Sequence, residues 1–158
     1  MLRVPLPDKS CRDFGNFGFV GGLFSGVILN MSFYDQLKFD ANGLIPAIIQ
    51  ERKTGRVLMF AWMNRASLES TIAMGKTHFW SRSRKKFWMK GEESGHVQVV
   101  KDIAFDCDGD VLLIQVEQTG AACHEGYQSC FFRSVDKDGF KITEPQLQKP
   151  EEIYGKKK

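Results

Sequence analysis

The sequence predicts an α+β fold: a small antiparallel sheet, arranged as a meander or half-barrel, with one main helix. Two observations predict it. From Phe33 onward, short apolar runs rich in strand formers recur between turn residues, as in strands joined by tight turns. One segment, 64–75, carries helix punctuation instead: Asn64 to cap, Leu68 and Ile72 four apart on an inner face, and Gly75 where a left-handed stop belongs. A length of 158 residues suits one domain. The 42% hydrophobic and 26% charged content excludes a disordered coil, a collagen and a coiled coil. With 22 Lys+Arg against 19 Asp+Glu, the net charge of +3 is too small to mark a polynucleotide binder by itself.

In chain order, residues 14–31 carry no charge and hold five of the 15 glycines. The run is shorter than the ~20 apolar residues of a spanning helix, and its glycines weaken any helix. Residues 1–32 are therefore expected as a poorly ordered or non-native extension, a leader or translation from upstream of a true start at Met31. Cys11 falls there and receives no role. Strands are expected over 44–50 (LIPAIIQ) and 57–63 (VLMFAWM), with Thr54-Gly55 as the hairpin turn. After the helix come strands over 77–81, 86–90, 97–105, 111–117 and 130–135, and a final turn at Lys137-Asp138-Gly139. The domain spans 33–140, and 141–158 is expected as a flexible tail. About 100 residues make a modest core, so a homodimer would help it bury surface.

Two clusters carry chemistry. Residues 106–110 read Asp-Cys-Asp-Gly-Asp. In an extended segment Asp106, Asp108 and Asp110 would share one face and Cys107 the other. Three carboxylates together repel unless a cation neutralises them, and oxygen ligands suit magnesium or calcium. A solvated acidic turn is the plain alternative. An EF-hand is excluded, because its glycine position is Val111 and the following residues read as a strand. Cys107, Cys123 and Cys130 are separated by 16 and 7 positions, with no paired C-x-x-C knuckle. Three thiolates with no evident fourth ligand fit a catalytic zinc that keeps a place for water, lowering its pKa to about 7. The alternative is buried thiols packed as small apolar groups. Against it, the residues around Cys123, Gly120-Ala121-Ala122 and His124-Glu125-Gly126, are loop-like. His124 could be a fourth ligand or the group that moves protons.

Between residues 76 and 90, Lys76, Arg82, Arg84, Lys85, Lys86 and Lys90 give six cations and no acid, interleaved with Phe79, Trp80, Phe87 and Trp88. Arginine forks recognise phosphate oxygens and an indole face stacks on a base. The turn Gly91-Glu92-Glu93-Ser94-Gly95 follows, whose amides and serine can cradle a phosphate. Lys85 and Lys86 are read as an exposed turn tip. Arg82 and Lys90 are the better phosphate candidates, placed within strands beside Ser81 and Ser94.

Taken together, Trp80-Ser81-Arg82-Ser83-Arg84, Trp88-x-Lys90-Gly91-x-x-Ser94-Gly95, Asp106-Cys107-Asp108-x-Asp110, Ala122-Cys123-His124-x-Gly126 and Ser129-Cys130-Phe131 resemble phosphoribosyl-AMP cyclohydrolase, from about Phe39 to Arg133. The resemblance implies hydrolytic opening of the adenine ring between N1 and C6 of 1-(5-phosphoribosyl)-AMP. The product would be the phosphoribosyl-formimino aminoimidazole carboxamide ribotide of histidine biosynthesis. It further implies an intertwined homodimer with one zinc per subunit, Cys107 coming from one chain and Cys123 with Cys130 from the other. Magnesium would sit on Asp106, Asp108 and Asp110, and His124 would serve the proton transfers. Substrate contacts would fall among Trp80, Ser81, Arg82, Ser83, Arg84, Trp88, Lys90, Ser94 and Gly95. The expected setting is cytoplasmic, without membrane or nucleic acid. A zinc-stabilised nucleic-acid-binding module built on Trp80 and Trp88 is the rival reading; it requires a closed four-ligand zinc site.

Overall fold

A computed structural model describes residues 33–155, so the expectations for 1–32 lie outside the described residues. After a 3-10 turn at Phe33–Gln36, strands β1 (Leu44–Glu51) and β2 (Val57–Asn64) form an antiparallel hairpin. Ile45, Ala47 and Ile49 alternate inward along β1, each fully buried, the period-2 rhythm of a strand. Gly55 takes the positive φ the turn needs.

Helix α1 (Arg65–Met74) starts and stops at the residues its sequence predicts. The Asn64 side chain accepts from the Ser67 N–H at 2.9 Å, and Ser67 Oγ accepts from the Asn64 N–H at 2.9 Å, a capping box. Gly75 closes the helix at φ 62, its N–H bonded to the Thr71 carbonyl. Leu68 is fully buried on the inner face, worth roughly 2 kcal/mol of transfer free energy. Asn64→Ala should lower unfolding free energy by about 1 kcal/mol. The check is a denaturant titration whose midpoint falls while its slope stays unchanged.

The chain continues through β3 (His78–Ser81), β4 (Lys86–Met89), β5 (Gln98–Phe105) and β6 (Leu112–Gln118). The six strands lie in the order β4-β3-β2-β1-β6-β5. Strands β1 to β4 are the expected antiparallel meander, and the β5–β6 hairpin is also antiparallel. The join is different: β6 runs parallel to β1, from Ala47 opposite Leu112 to Glu51 opposite Val116. The curled sheet is thus mixed, because 90–97 carries the chain from one edge to the other. An apolar run shows that a strand is buried, not which way its neighbour points.

The last expected strand is displaced. Residues 130–132 run beside β2, with the Cys130 N–H bonded to the Leu58 carbonyl at 2.7 Å. The strand itself is β7 (Arg133–Asp136), which pairs with β8 (Gly139–Ile142) in a separate hairpin. The stretch expected as a tail is tied back. Thr143 N–H reaches the Phe132 carbonyl, Leu147 N–H reaches Gly126, and α2 (Pro150–Tyr154) follows. No helix among the described residues is long and apolar enough to cross a membrane.

Candidate functional site

A cleft of about 1180 Å³ opens between the end of β4, the 120–130 loop and α2. Arg84, Trp88, Lys90 and Ser94 line one wall, Ala122, His124 and Cys130 another, and Ile153 with Tyr154 a third. The loop is set by backbone geometry. Cys123 N–H bonds the Tyr127 carbonyl and Gly126 N–H returns to the Cys123 carbonyl, so the chain reverses around an exposed His124. Gly126 adopts φ +81 and lies against the Gln148 carbonyl, leaving no room for a Cβ.

That reversal buries Cys123 and makes it an electrostatic neighbour of Cys130. Cys130 exposes surface to the cleft while its sulfur is crowded. Burial first, then the neighbouring Cys123, pushes its thiol up to about 12, with Lys90 opposing. A cation beside the Cys130 thiolate would offset the cost of its burial. Two neighbouring soft donors suit a thiophilic cation such as zinc. Lys90 lines the same cleft and is 7% exposed. Burial lowers its pKa, and the Cys130 and Cys123 sulfurs act in the opposite direction.

The acidic residues lie elsewhere, between β5 and β6. Carboxylate oxygens of Asp106, Asp108 and Asp110 come within 4.8 Å of one another, an exposed trio able to hold a cation. The expected extended alternation is not how they meet. Residues 107–110 form a bend closed by Asp106, whose Oδ1 accepts from the N–H groups of Gly109, Asp110 and Val111 at 3.0, 3.0 and 3.2 Å. Gly109 sits at φ +78 with no space for a Cβ beside the Gln36 carbonyl. Desolvation raises the Asp106 pKa, but the Val111 and Asp110 hydrogen bonds outweigh it and hold the carboxyl below the usual range. The Asp108 charge, desolvation and the Asp106 charge hold Asp110 above it. A cation would relieve that repulsion.

Among the described residues the aspartate trio is the one metal-sized group of Cys, His, Asp and Glu side chains; the three cysteines do not assemble within a chain. Cys130 is anchored at Leu58, near the Ile49 level of the sheet, whereas Cys107 precedes β6 at the opposite end of β1. From Leu112, opposite Ala47, to Ile114, opposite Ile49, the strand rise alone is on the order of 7 Å.

The family profile described as Phosphoribosyl-AMP cyclohydrolase matches residues 59–132. The phosphoribosyl-AMP cyclohydrolase of Chlorobium phaeovibrioides is 56% identical over 130 residues, covering 82% of this chain and 95% of its own. This chain belongs to the phosphoribosyl-AMP cyclohydrolase family. The cyclohydrolases of Prosthecochloris aestuarii, 55% identical over 129 residues, and Pelotomaculum thermopropionicum, 56% identical over 124, cover 81% and 78% of the chain.

Within this cyclohydrolase-family chain, Arg84, Trp88, Lys90 and Ser94 join His124 and Cys130 around one cleft. Other expected substrate contacts do not line it. Trp80 pairs with Trp62 across β3 and β2, and Ser81 Oγ accepts from the Arg84 N–H and Nε–H at 3.3 Å. Arg82 lies 4.6 Å over the Trp62 ring, while Ser83 and Gly95 are exposed in turns. Arg82 and Lys90 stand one residue beyond β3 and β4, not within strands, because the tight 82–85 turn and the Gly91 reversal end both strands early. The sequence reading passed over Met59, Glu125, Ile153 and Tyr154 in the cleft wall. A signal for the last two existed: Pro150-Glu151-Glu152 is the start of a helix.

Proposed function

We propose that this chain opens the adenine ring of 1-(5-phosphoribosyl)-AMP between N1 and C6, a step of histidine biosynthesis, as a cytoplasmic homodimer with one zinc per subunit and magnesium on the aspartate trio. The convergence of Cys130, Lys90 and His124 on one roomy cleft, with Cys123 buried beside Cys130, carries this reading. Cys123 and Cys130 would hold zinc together with Cys107 of the partner subunit, since one chain keeps its own Cys107 away from the pair. A second copy would also cover Val135, Phe140 and Ile142, exposed on an otherwise isolated β7–β8 hairpin.

The chemistry follows from the substrate. A ribosyl group on N1 makes the purine cationic and C6 electrophilic, so water adds there and the N1–C6 bond breaks. When bound, zinc supplies a Lewis acid that brings the pKa of its water to about 7. His124, at the exposed lip of the loop, takes a proton from the attacking water and returns it to the departing N1. The half-buried Trp88 offers a flat face to the base, and the exposed Arg84 fork and the Ser94 turn receive phosphate oxygens. A cleft of about 1180 Å³ has room for a nucleotide with two phosphates.

The test is metal analysis alongside turnover. Purified protein should hold about one zinc per chain and convert phosphoribosyl-AMP with an ultraviolet change; zinc-free protein should be inactive until zinc returns. Full turnover by zinc-free protein would overturn the zinc reading. Zinc-bound protein that leaves phosphoribosyl-AMP unchanged but retains polynucleotide in a salt-sensitive way would favour the nucleic-acid module.

A further inference from the structure

The half-buried His96 stands where two walls of the cleft meet. It follows the turn that carries Ser94, and its ring reaches the start of the loop that carries His124; both Ser94 and His124 line the cleft. The β5–β6 ladder explains the encounter. Gln98 lies opposite Gln118, and the Thr119 N–H donates to the Val97 carbonyl at 3.0 Å. Continuing that register one step further places His96 opposite Gly120. There the imidazole packs on bare backbone: a Cβ at Gly120, φ +63, would lie 2.7 Å from His96 Cδ2 and 2.8 Å from Nε2. Only glycine lets the ring come so close.

From this seat His96 Nδ1 lies 3.1 Å from the Ala121 carbonyl oxygen. A carbonyl only accepts, so Nδ1 carries the proton and donates it. Ala121 is 2% exposed, and a buried carbonyl needs such a donor. The backbone of the same histidine is tied to the other wall, where its N–H donates to Ser94 Oγ at 3.2 Å. One residue thus joins the turn proposed to receive phosphate to the loop proposed to move protons. Both must act on a single substrate molecule, so their separation has to be fixed. We infer that His96 is a positioning residue for the hydrolysis, whose Nδ1–H holds the start of the 120–130 loop and thereby places His124 relative to the Ser94 turn. This rests on the proposed roles of His124 and Ser94.

The test compares wild type, His96→Phe and His96→Asn as full-length proteins with zinc in excess, circular dichroism verifying each fold. Phenylalanine keeps a flat ring on Gly120 but has no donor, whereas the asparagine amide sets an N–H close to the place of Nδ1–H. In His96→Phe, kcat should fall about 10- to 100-fold, the scale of a displacement near 1 Å, with KM for phosphoribosyl-AMP little changed. His96→Asn should regain most of the loss. If His96→Phe does not fold, His96→Leu supplies the donorless comparison. Nitrogen-15 NMR adds a signature independent of turnover: the wild-type resonance that disappears in His96→Asn should report a proton on Nδ1. Wild-type kcat in the folded donorless variant, a loss confined to KM, no recovery in His96→Asn, or a ring proton on Nε2 alone would each overturn the inference. A wild type that leaves phosphoribosyl-AMP unchanged would overturn the proposed function, and this inference with it, so the wild-type assay tells the two failures apart.

Discussion

A Cys123→Ala chain is expected to purify without zinc and to turn over phosphoribosyl-AMP at least about a thousandfold more slowly than wild type, a barrier increase of roughly 4 kcal/mol. The size follows from what is lost. Two ligands would remain for an ion that needs three to stay bound and poised, so the metal and its activated water leave together. Cys123 is also 4% exposed, so alanine leaves a small gap costing about 1 kcal/mol of stability. That cost is far below the barrier change, and an unfolding midpoint separates the two. Cys130→Ala sharpens the comparison, because Cys130 is exposed and its loss should cost little stability while removing zinc equally. Unchanged turnover or a full complement of zinc in Cys123→Ala would remove the ligand role.

Much of the fold was legible because local chemistry and tertiary structure agree. Asn64 and Gly75 end α1 where their side chain and φ require, and Ile45, Ala47 and Ile49 bury the face their alternation marks. What was not legible was relational. Nothing in LIPAIIQ or in 112–118 encodes that β1 and β6 run parallel, because direction depends on how the 90–97 connection crosses the sheet. Residues 130–132 carry strand-forming residues, yet Ser129 Oγ and the Cys130 N–H fasten this stretch to Val57 and Leu58, outside any ladder of the sheet.

The candidate site divides in the same way. The motif around Cys123 marks a loop near a cleft, and such a loop is present. The Asp-x-Asp-x-Asp pattern marks converging carboxylates, although they converge through an Asp106-centred bend and not by strand alternation. Lys90 was the opaque residue. A lysine in a cationic, aromatic stretch reads as a surface phosphate ligand, and only the folded structure shows it buried on the cleft that Cys130 also lines. Sequence spacing also treats Cys107 as a neighbour of the other two, although within one chain the sheet holds it at the other end of β1.

That separation yields the second large effect. Cys107→Ala and Cys123→Ala chains should each be inactive alone, and mixing them under conditions of subunit exchange should restore activity. If Cys107 of one subunit completes the pair of the other, each mixed dimer contains one site with all three thiols and one lacking two. Random exchange of equal amounts makes about half the dimers mixed, and half of their sites are whole, so about a quarter of wild-type activity should return. Zinc content should recover in the same proportion. A site built from one chain's own cysteines gives a different result, because every subunit in the mixture then carries a broken site and no exchange can repair it. Absence of recovery after exchange is proven by tagged subunits would therefore eliminate the shared site. Recovery near a quarter, rather than a trace, would also show that one whole site works while its neighbour is empty.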